Sequence, residues 1–306
     1  MQKLTFSALA LLLAAGCSDA ANTEAKAQAS AEVKAKASVE KKVEASVEAV
    51  VEKSDGISLW EELLTAGHRS EKNKQRDQYR HPQETLEFFG IKPGMTVVEI
   101  APGGGWYTEI LSPLLGPEGK LYAAHFDPNS EVEYYRNGRA KFERKMDVES
   151  DVYGNVEITT FQPPEMFDIA PAGSADAVVT FRNVHNWLRG GREATVDSFQ
   201  AMYKALKPGG VLGVVEHRLP ALQEQDEKAS SGYMHQQFVI DVAQDAGFKL
   251  VASSEINANP KDTANHPKGV WTLPPSLRLG EEDQDKYLEI GESDRMTLKF
   301  VKPAKK

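Results

Sequence analysis

The chain has 306 residues, a formal net charge of −9 at pH 7, 41% hydrophobic residues and one cysteine. No basic run is longer than two residues, the terminal Lys305 and Lys306 included, which argues against a nucleic-acid partner, because phosphate binding needs a positive footprint. A lone thiol closes no internal disulfide.

In chain order, MQKLTFSALALLLAAGCSD carries Lys3, an apolar run from Leu9 to Ala15 and small residues leading into Cys17. This order reads as an export signal, and the apolar run is well short of the ~20 residues that span a bilayer. LAAGC, residues 13–17, resembles the lipobox of bacterial lipoproteins. The resemblance implies a signal peptide over 1–16, acylation of Cys17, and anchoring to the cell envelope facing the periplasm. Ser18 is not the aspartate associated with inner-membrane retention, so the outer membrane is favoured. Residues 17–56 are almost all Ala, Glu, Lys, Val and Ser without an aromatic, a composition that buries too little to fold alone and acts as a tether.

Residues 57–306 have globular composition. Strands are expected over 96–101, 120–126, 156–161, 176–182, 211–217, 249–256 and 295–301, the first, fourth and fifth with continuous apolar stretches suited to burial on both faces. Helical patterns fall over 106–115, 193–206 and 232–246. This alternation predicts an α/β fold with a doubly wound parallel sheet, whose ligands bind beyond the carboxyl ends of the strands.

The central feature is VVEIAPGGGWYTEIL, residues 97–111. Glycines between a strand and a helix permit a tight turn and close approach by a ligand to free backbone N–H groups. Asp127 closes the second strand, where an acidic group can accept hydrogen bonds from ribose hydroxyls. The dinucleotide fingerprint G-x-G-x-x-G is broken, since Thr108 stands at its third glycine.

E-I-A-P-G-G-G instead resembles the E/D-x-G-x-G-x-G signature of class I S-adenosylmethionine-dependent methyltransferases, with Ala101 at the first glycine. ALKPGGVLGVVEH (205–217), ADAVVTFRNVHNW (175–187), AGFKLVASSEI and RMTLKFVKP extend the resemblance over about residues 85–302; narrower features resemble a group of predicted bacterial methyltransferases. The resemblance implies a Rossmann-like sheet of seven strands, order 3-2-1-4-5-7-6 with strand 7 antiparallel, and S-adenosylmethionine as cofactor. It further implies that Glu99, Ala101, Gly103 and Gly105 form the cofactor loop, that Asp127 holds the ribose, that Gln162 lies beside the adenine, and that Asn183 contacts the methionine end. Alanine suits a strand terminus at 101 but not a positive φ.

Methyl transfer needs an aligned nucleophile, in some cases a base, and exclusion of water. His125, His185 and His217 stand at carboxyl ends of strands. His185 is the first candidate for base or substrate contact, with Asn186 and Trp187 as wall and His217 sharing the pocket; His235 opens a helix at the same mouth. Each histidine also has a purely structural reading. Residues 57–90 are expected as a helical lid, in which Arg69, Arg76 and Arg80 meet either an anion or solvent. The insertion 257–294 is expected as an ordered flap. Three functions stay open: a methyltransferase with an unknown small-molecule or other acceptor, a ligand-binding lipoprotein that keeps the fold without transfer, and metal-assisted hydrolysis. The last is disfavoured and no metal is expected, because Glu216 and His217 are adjacent on a strand and face opposite ways.

Overall fold

Eight strands form one sheet within residues 58–304, the residues described by the computed structural model. They are β1 (Thr96–Ile100), β2 (Lys120–His125), β3 (Val156–Gln162), β4 (Met166–Asp168), β5 (Ala175–Phe181), β6 (Leu206–His217), β7 (Lys249–Ser254) and β8 (Arg295–Val301). Their order is β4-β3-β2-β1-β5-β6-β8-β7. The expected seven strands are corrected to eight, the order differing from the expected one by the added edge strand β4. The unforeseen strand β4 has three residues and pairs antiparallel with β3 at the sheet edge, Phe161 opposite Phe167. A segment that short is below the length at which alternation can be read. From β3 inward, β3, β2, β1, β5 and β6 pair in parallel, and β8 runs antiparallel between β6 and β7.

Burial follows this order. β1 and β5 lie mid-sheet and are buried along nearly their whole length, whereas β7 alternates exposed and half-buried residues at the far edge. Val98, Val178, Leu212, Val214, Leu298 and Phe300 form the central core with Phe199 and Met202.

The helices, in chain order, are α1 (Leu59–Thr65), α2 (Glu71–Lys74), α3 (Asp77–Arg80), α4 (Pro82–Phe89), α5 (Thr108–Leu115), α6 (Glu133–Val148), α7 (Ser150–Tyr153), α8 (Val184–Trp187), α9 (Gly191–Ala205), α10 (Gln236–Asp245) and α11 (Gln284–Ile290). The 16-residue helix α6 has no counterpart among the helices read from the sequence. Its composition is polar, and only Arg139, Phe142 and Met146 on it are buried, too sparse a stripe to stand out. Phe142 and Met146 pack on Ala123 and Tyr153, fixing α6 against β2.

Residues Glu62–Lys306 form one compact unit, and everything below concerns that unit. The export signal, Cys17 and the 17–56 tether lie outside the described residues. No described helix is long and apolar enough to cross a membrane.

Candidate active site

Strands β1 and β5 are neighbours, and each is followed by a non-glycine residue in the left-handed region: Ala101 at φ 48° and Arg182 at φ 62°. The extended conformation expected for Ala101 is therefore corrected. Such residues cost on the order of 1 kcal/mol each and persist only where the surroundings hold them. Here they are held. Ala101 N–H donates to the Ala124 carbonyl (2.8 Å) and Arg182 N–H to that of Val215 (2.7 Å), while Asn183 Nδ2 donates to the Ile100 carbonyl (3.0 Å). The two breaks are thus tied together, and a cavity of about 1000 Å³ opens beside them.

The glycine loop borders this cavity. Gly103 has φ 60°, and a Cβ built on it or on Gly104 would meet nothing within 4 Å. Bare backbone faces open space there. Gly105 (φ 80°) has a different role, since a Cβ on it would lie 3.1 Å from Phe142 of α6. It lets the loop close onto the helix and does not line the cavity, so its expected cofactor contact is corrected.

Two buried side chains brace the loop from below. Glu99 is 2% exposed and accepts from Thr108 Oγ1 at 2.6 Å. Burial pushes its carboxyl up to about 7, against the opposing pull of the Thr108 hydrogen bond. Thr108, which breaks the dinucleotide fingerprint, is therefore the partner of the loop's carboxylate. His125 is the second brace: its Nδ1 accepts from Phe126 N–H (2.8 Å), so Nε2 carries the proton and donates to the Gly103 carbonyl (3.0 Å). Burial lowers its pKa to about 4, which keeps it neutral. Its role is structural.

Of the expected cofactor residues, Glu99, Ala101, Gly103, Gln162 and Asn183 line the cavity. Asp127 does not. β2 ends at His125, two residues earlier, and the Asp127 Oδ1 accepts from Asn129 N–H (2.9 Å) in its own turn. Phe126 occupies the rim instead, and Gln162 Oε1 accepts from the Asp127 N–H (3.3 Å). The expected ribose contact through the Asp127 carboxylate is corrected on this geometry. Tyr107 stacks on Phe181 with ring centroids 3.4 Å apart, so it forms a wall and leaves the hollow open.

All three expected catalytic residues, His185, Asn186 and His217, line the same cavity. His185 Nδ1 lies 3.0 Å from Glu216 Oε1; a carboxylate only accepts, so Nδ1 carries the proton and Nε2 presents a lone pair. Glu216 is fully buried and also accepts from the backbone N–H groups of His185 (3.2 Å) and His217 (2.8 Å). The bond to His217 N–H shows the carboxylate curling back along its own strand. That is why the ligand atoms of His185, Glu216 and His217 come within 4.8 Å of one another, against the expectation that Glu216 and His217 diverge. His217 Nδ1 meets Ser293 Oγ, whose oxygen is approached by Arg295 Nε at 3.4 Å; with the Ser293 hydroxyl assigned as donor to His217 Nδ1, the His217 Nε2 bears the proton. Burial, then the adjacent His185 and Arg295, hold the His217 pKa well below its usual value. The wall thus offers one acceptor, His185 Nε2, beside one donor, His217 Nε2–H, on rings 5.5 Å apart.

His235 is not at this cavity; its Nε2 bonds the Gln223 carbonyl at 2.7 Å. Arg69 is also removed from it, engaged bidentately by Asp77 at 2.8 and 2.7 Å. Arg76 and Arg80 do line it. From the insertion 257–294, Trp271, Pro274, Arg278, Glu292 and Ser293 line it as well. Sequence reading missed Arg182, Glu292 and Arg295. A charged residue ending an apolar strand next to Asn183 is the signal that marks Arg182; nothing local marks the other two.

No family model matches the chain. It is similar to the ubiquinone/menaquinone biosynthesis C-methyltransferase UbiE of Shewanella sp. (strain W3-18-1), 31% identical over 140 residues, covering 45% of this chain and 49% of that protein. The same-named protein of Pectobacterium carotovorum subsp. carotovorum (strain PC1) is 28% identical over 180 residues, covering 58% and 64%. The chain therefore spans about half to under two thirds of these relatives. Among solved structures, the 4+2 cyclase SpnF superposes with a TM-score of 0.52 at 13% identity, over 79% of this chain and 86% of that one, a likeness of fold.

Proposed function

We propose that the chain is an S-adenosylmethionine-dependent methyltransferase whose cofactor and acceptor share the cavity beyond the carboxyl ends of β1, β3 and β5. One observation carries this reading: a cavity of about 1000 Å³ has bare glycine backbone on one wall and the His185–Glu216 pair on another. Its size, and its aromatic walls set beside many polar and charged side chains, suit a nucleoside-sized polar ligand together with a small partner. The chain's likeness to methyltransferases over 45–58% of its length supports the same reading.

The residues present fit the cofactor. Gly103 and Gly104 leave unobstructed backbone, Gln162 and Phe126 offer a polar edge and an apolar face, and Asn183 keeps its Oδ1 without a protein partner among the described residues. When bound, the cofactor supplies a methyl group on a sulfonium, which departs as a thioether keeping the C–S electron pair. The chain's own part is to hold the acceptor and receive its proton. His185 Nε2 accepts the proton of the attacking group, and Glu216 stabilises the imidazolium formed, as it already bonds Nδ1–H. His217 Nε2–H orients the acceptor. Trp271, 6.1 Å from His185, and the proline pair Pro274–Pro275 cover the site against water.

Calorimetry with S-adenosylmethionine and its demethylated product tests the reading. We expect binding of both, and incorporation of labelled methyl groups from the cofactor into a component of an envelope extract. No heat at millimolar cofactor refutes cofactor use; binding without transfer leaves a ligand-binding protein that keeps the fold. The sequence LAAGC further supports a proposal that acylated Cys17 anchors the protein to the envelope, the outer membrane favoured. Cys17→Ser should then move it from the membrane fraction to the soluble one, and unchanged membrane association refutes the anchor.

A further inference from the structure

Residues far apart in the chain bring four guanidinium groups around one carboxylate in the cavity wall. Arg76 Nε donates to Glu292 Oε1 at 2.6 Å, Arg80 Nε to Glu292 Oε2 at 3.1 Å, and Arg295 Nη2 to the same oxygen at 2.5 Å. Arg182, the left-handed residue after β5, completes the group; its guanidinium has no hydrogen bond or ion pair among the described residues. Four positive charges against one negative leave about three uncompensated. Burial is deep: Arg80 is 2% exposed, Arg295 1% and Glu292 3%. Arg80 Nη1 is buried without any hydrogen-bond partner.

An unpaired buried guanidinium donor is costly, and several like charges brought together add to that cost. The electrostatics record the strain. Burial and then the neighbouring arginines lower the pKa of Arg182 to about 10 and that of Arg80 in the same direction. Glu292, which burial alone would raise, is held well below the usual carboxylate range by Arg295, Arg80 and Arg76. A sulfonium cofactor adds a cation to the cavity and sharpens the imbalance. The same field opposes a metal ion at His185, Glu216 and His217.

We propose that Arg80 and Arg182, braced by Arg295 and Glu292, bind an anionic group, a carboxylate or a phosphate, carried by the methyl acceptor. The assignment of that anion to an acceptor rests on the methyl-transfer reading; the anion site itself does not. The acceptor's body lies against the stacked Tyr107–Phe181 pair and Trp106, over which Arg80 sits at 4.6 Å, so an apolar or aromatic body with one anionic end fits best. Its charge offsets part of the cluster's excess, and acceptor and cofactor thereby favour each other's binding.

The test titrates the purified protein at low ionic strength with inorganic phosphate and, separately, benzoate, followed by calorimetry. At least one probe should bind saturably, which also tells phosphate from carboxylate. Arg182→Gln should weaken it at least tenfold, and this variant is chosen because the lost guanidinium makes no hydrogen bond that folding needs. Arg144→Gln, the same charge change on the exposed face of α6, should leave it unchanged. S-adenosylmethionine and 5′-methylthioadenosine, which lacks the carboxylate, are titrated in parallel. The proposal is overturned if neither probe saturates or if both variants weaken the probe equally. It is overturned as well if Arg182→Gln weakens S-adenosylmethionine tenfold yet spares methylthioadenosine, because the arginines then serve the cofactor's own carboxylate. Wild-type protein that binds phosphate and not S-adenosylmethionine refutes the methyl-transfer reading and supports the anion site.

Discussion

Glu99 gives the sharpest test of how the site is held. Its carboxyl is raised from an ordinary 4.5 to about 7 by burial, so between those values the folded protein keeps a proton that the unfolded chain has released. Stability from this group is therefore fully present below the unfolded value and is lost as pH rises through the folded one. At ~1.36 kcal/mol per unit the whole effect is about 3 kcal/mol, of which most remains at pH 5 and almost none at pH 8. Glu99→Gln keeps an acceptor for Thr108 Oγ1 and cannot titrate. Urea unfolding of wild type and variant at pH 5 and pH 8 measures the difference, and other groups cancel. Relative to wild type, the variant should gain about 2–3 kcal/mol on going from pH 5 to pH 8. A difference between the two pH values below about 0.5 kcal/mol shows that Glu99 is not held in a dry site, and the account of the loop's support fails.

His125 titrates with the opposite sign. Its folded pKa of about 4 lies below the ordinary histidine value of 6.5, so its contribution is present above 6.5 and lost as pH falls towards 4; His125→Gln should abolish that acid-side loss in urea unfolding. In wild type the two groups offset each other between roughly pH 4.5 and 6.5, so their slopes emerge only in the variants. His185→Gln should lower transfer of labelled methyl at least a hundredfold, within the ~10²–10⁴ range of a general base, with cofactor affinity within about threefold of wild type. Retained transfer removes His185 from the chemistry. Asp127→Ala should change S-adenosylmethionine affinity by less than about threefold in calorimetry, because one oxygen of that side chain serves its own turn and neither borders the cavity. A tenfold loss restores the carboxylate to the ribose.

The histidines illustrate how differently equal residues can be used. His125, His185, His217 and His235 look alike in sequence, each at a strand end or helix start. What separates them is the partner of the second nitrogen: a loop carbonyl for His125, a buried carboxylate for His185, a serine for His217 and a distant carbonyl for His235. Such partners lie 12 to 76 residues away for all four, so no local pattern carries the distinction.

What the sequence by itself determined is the framework around VVEIAPGGGWYTEIL. Apolar strands alternating with amphipathic helices demand a covered sheet, and glycines between strand and helix demand an open loop at its carboxyl edge. These are short-range consequences of side-chain period and backbone sterics. Only the tertiary structure decided the strand count, the withdrawal of Asp127 and Gly105 from the cavity, and the meeting of Arg80, Arg182, Glu292 and Arg295. Charge convergence depends on which segments the fold brings within a few ångströms, and Coulomb interactions follow distance through space whatever the separation along the chain.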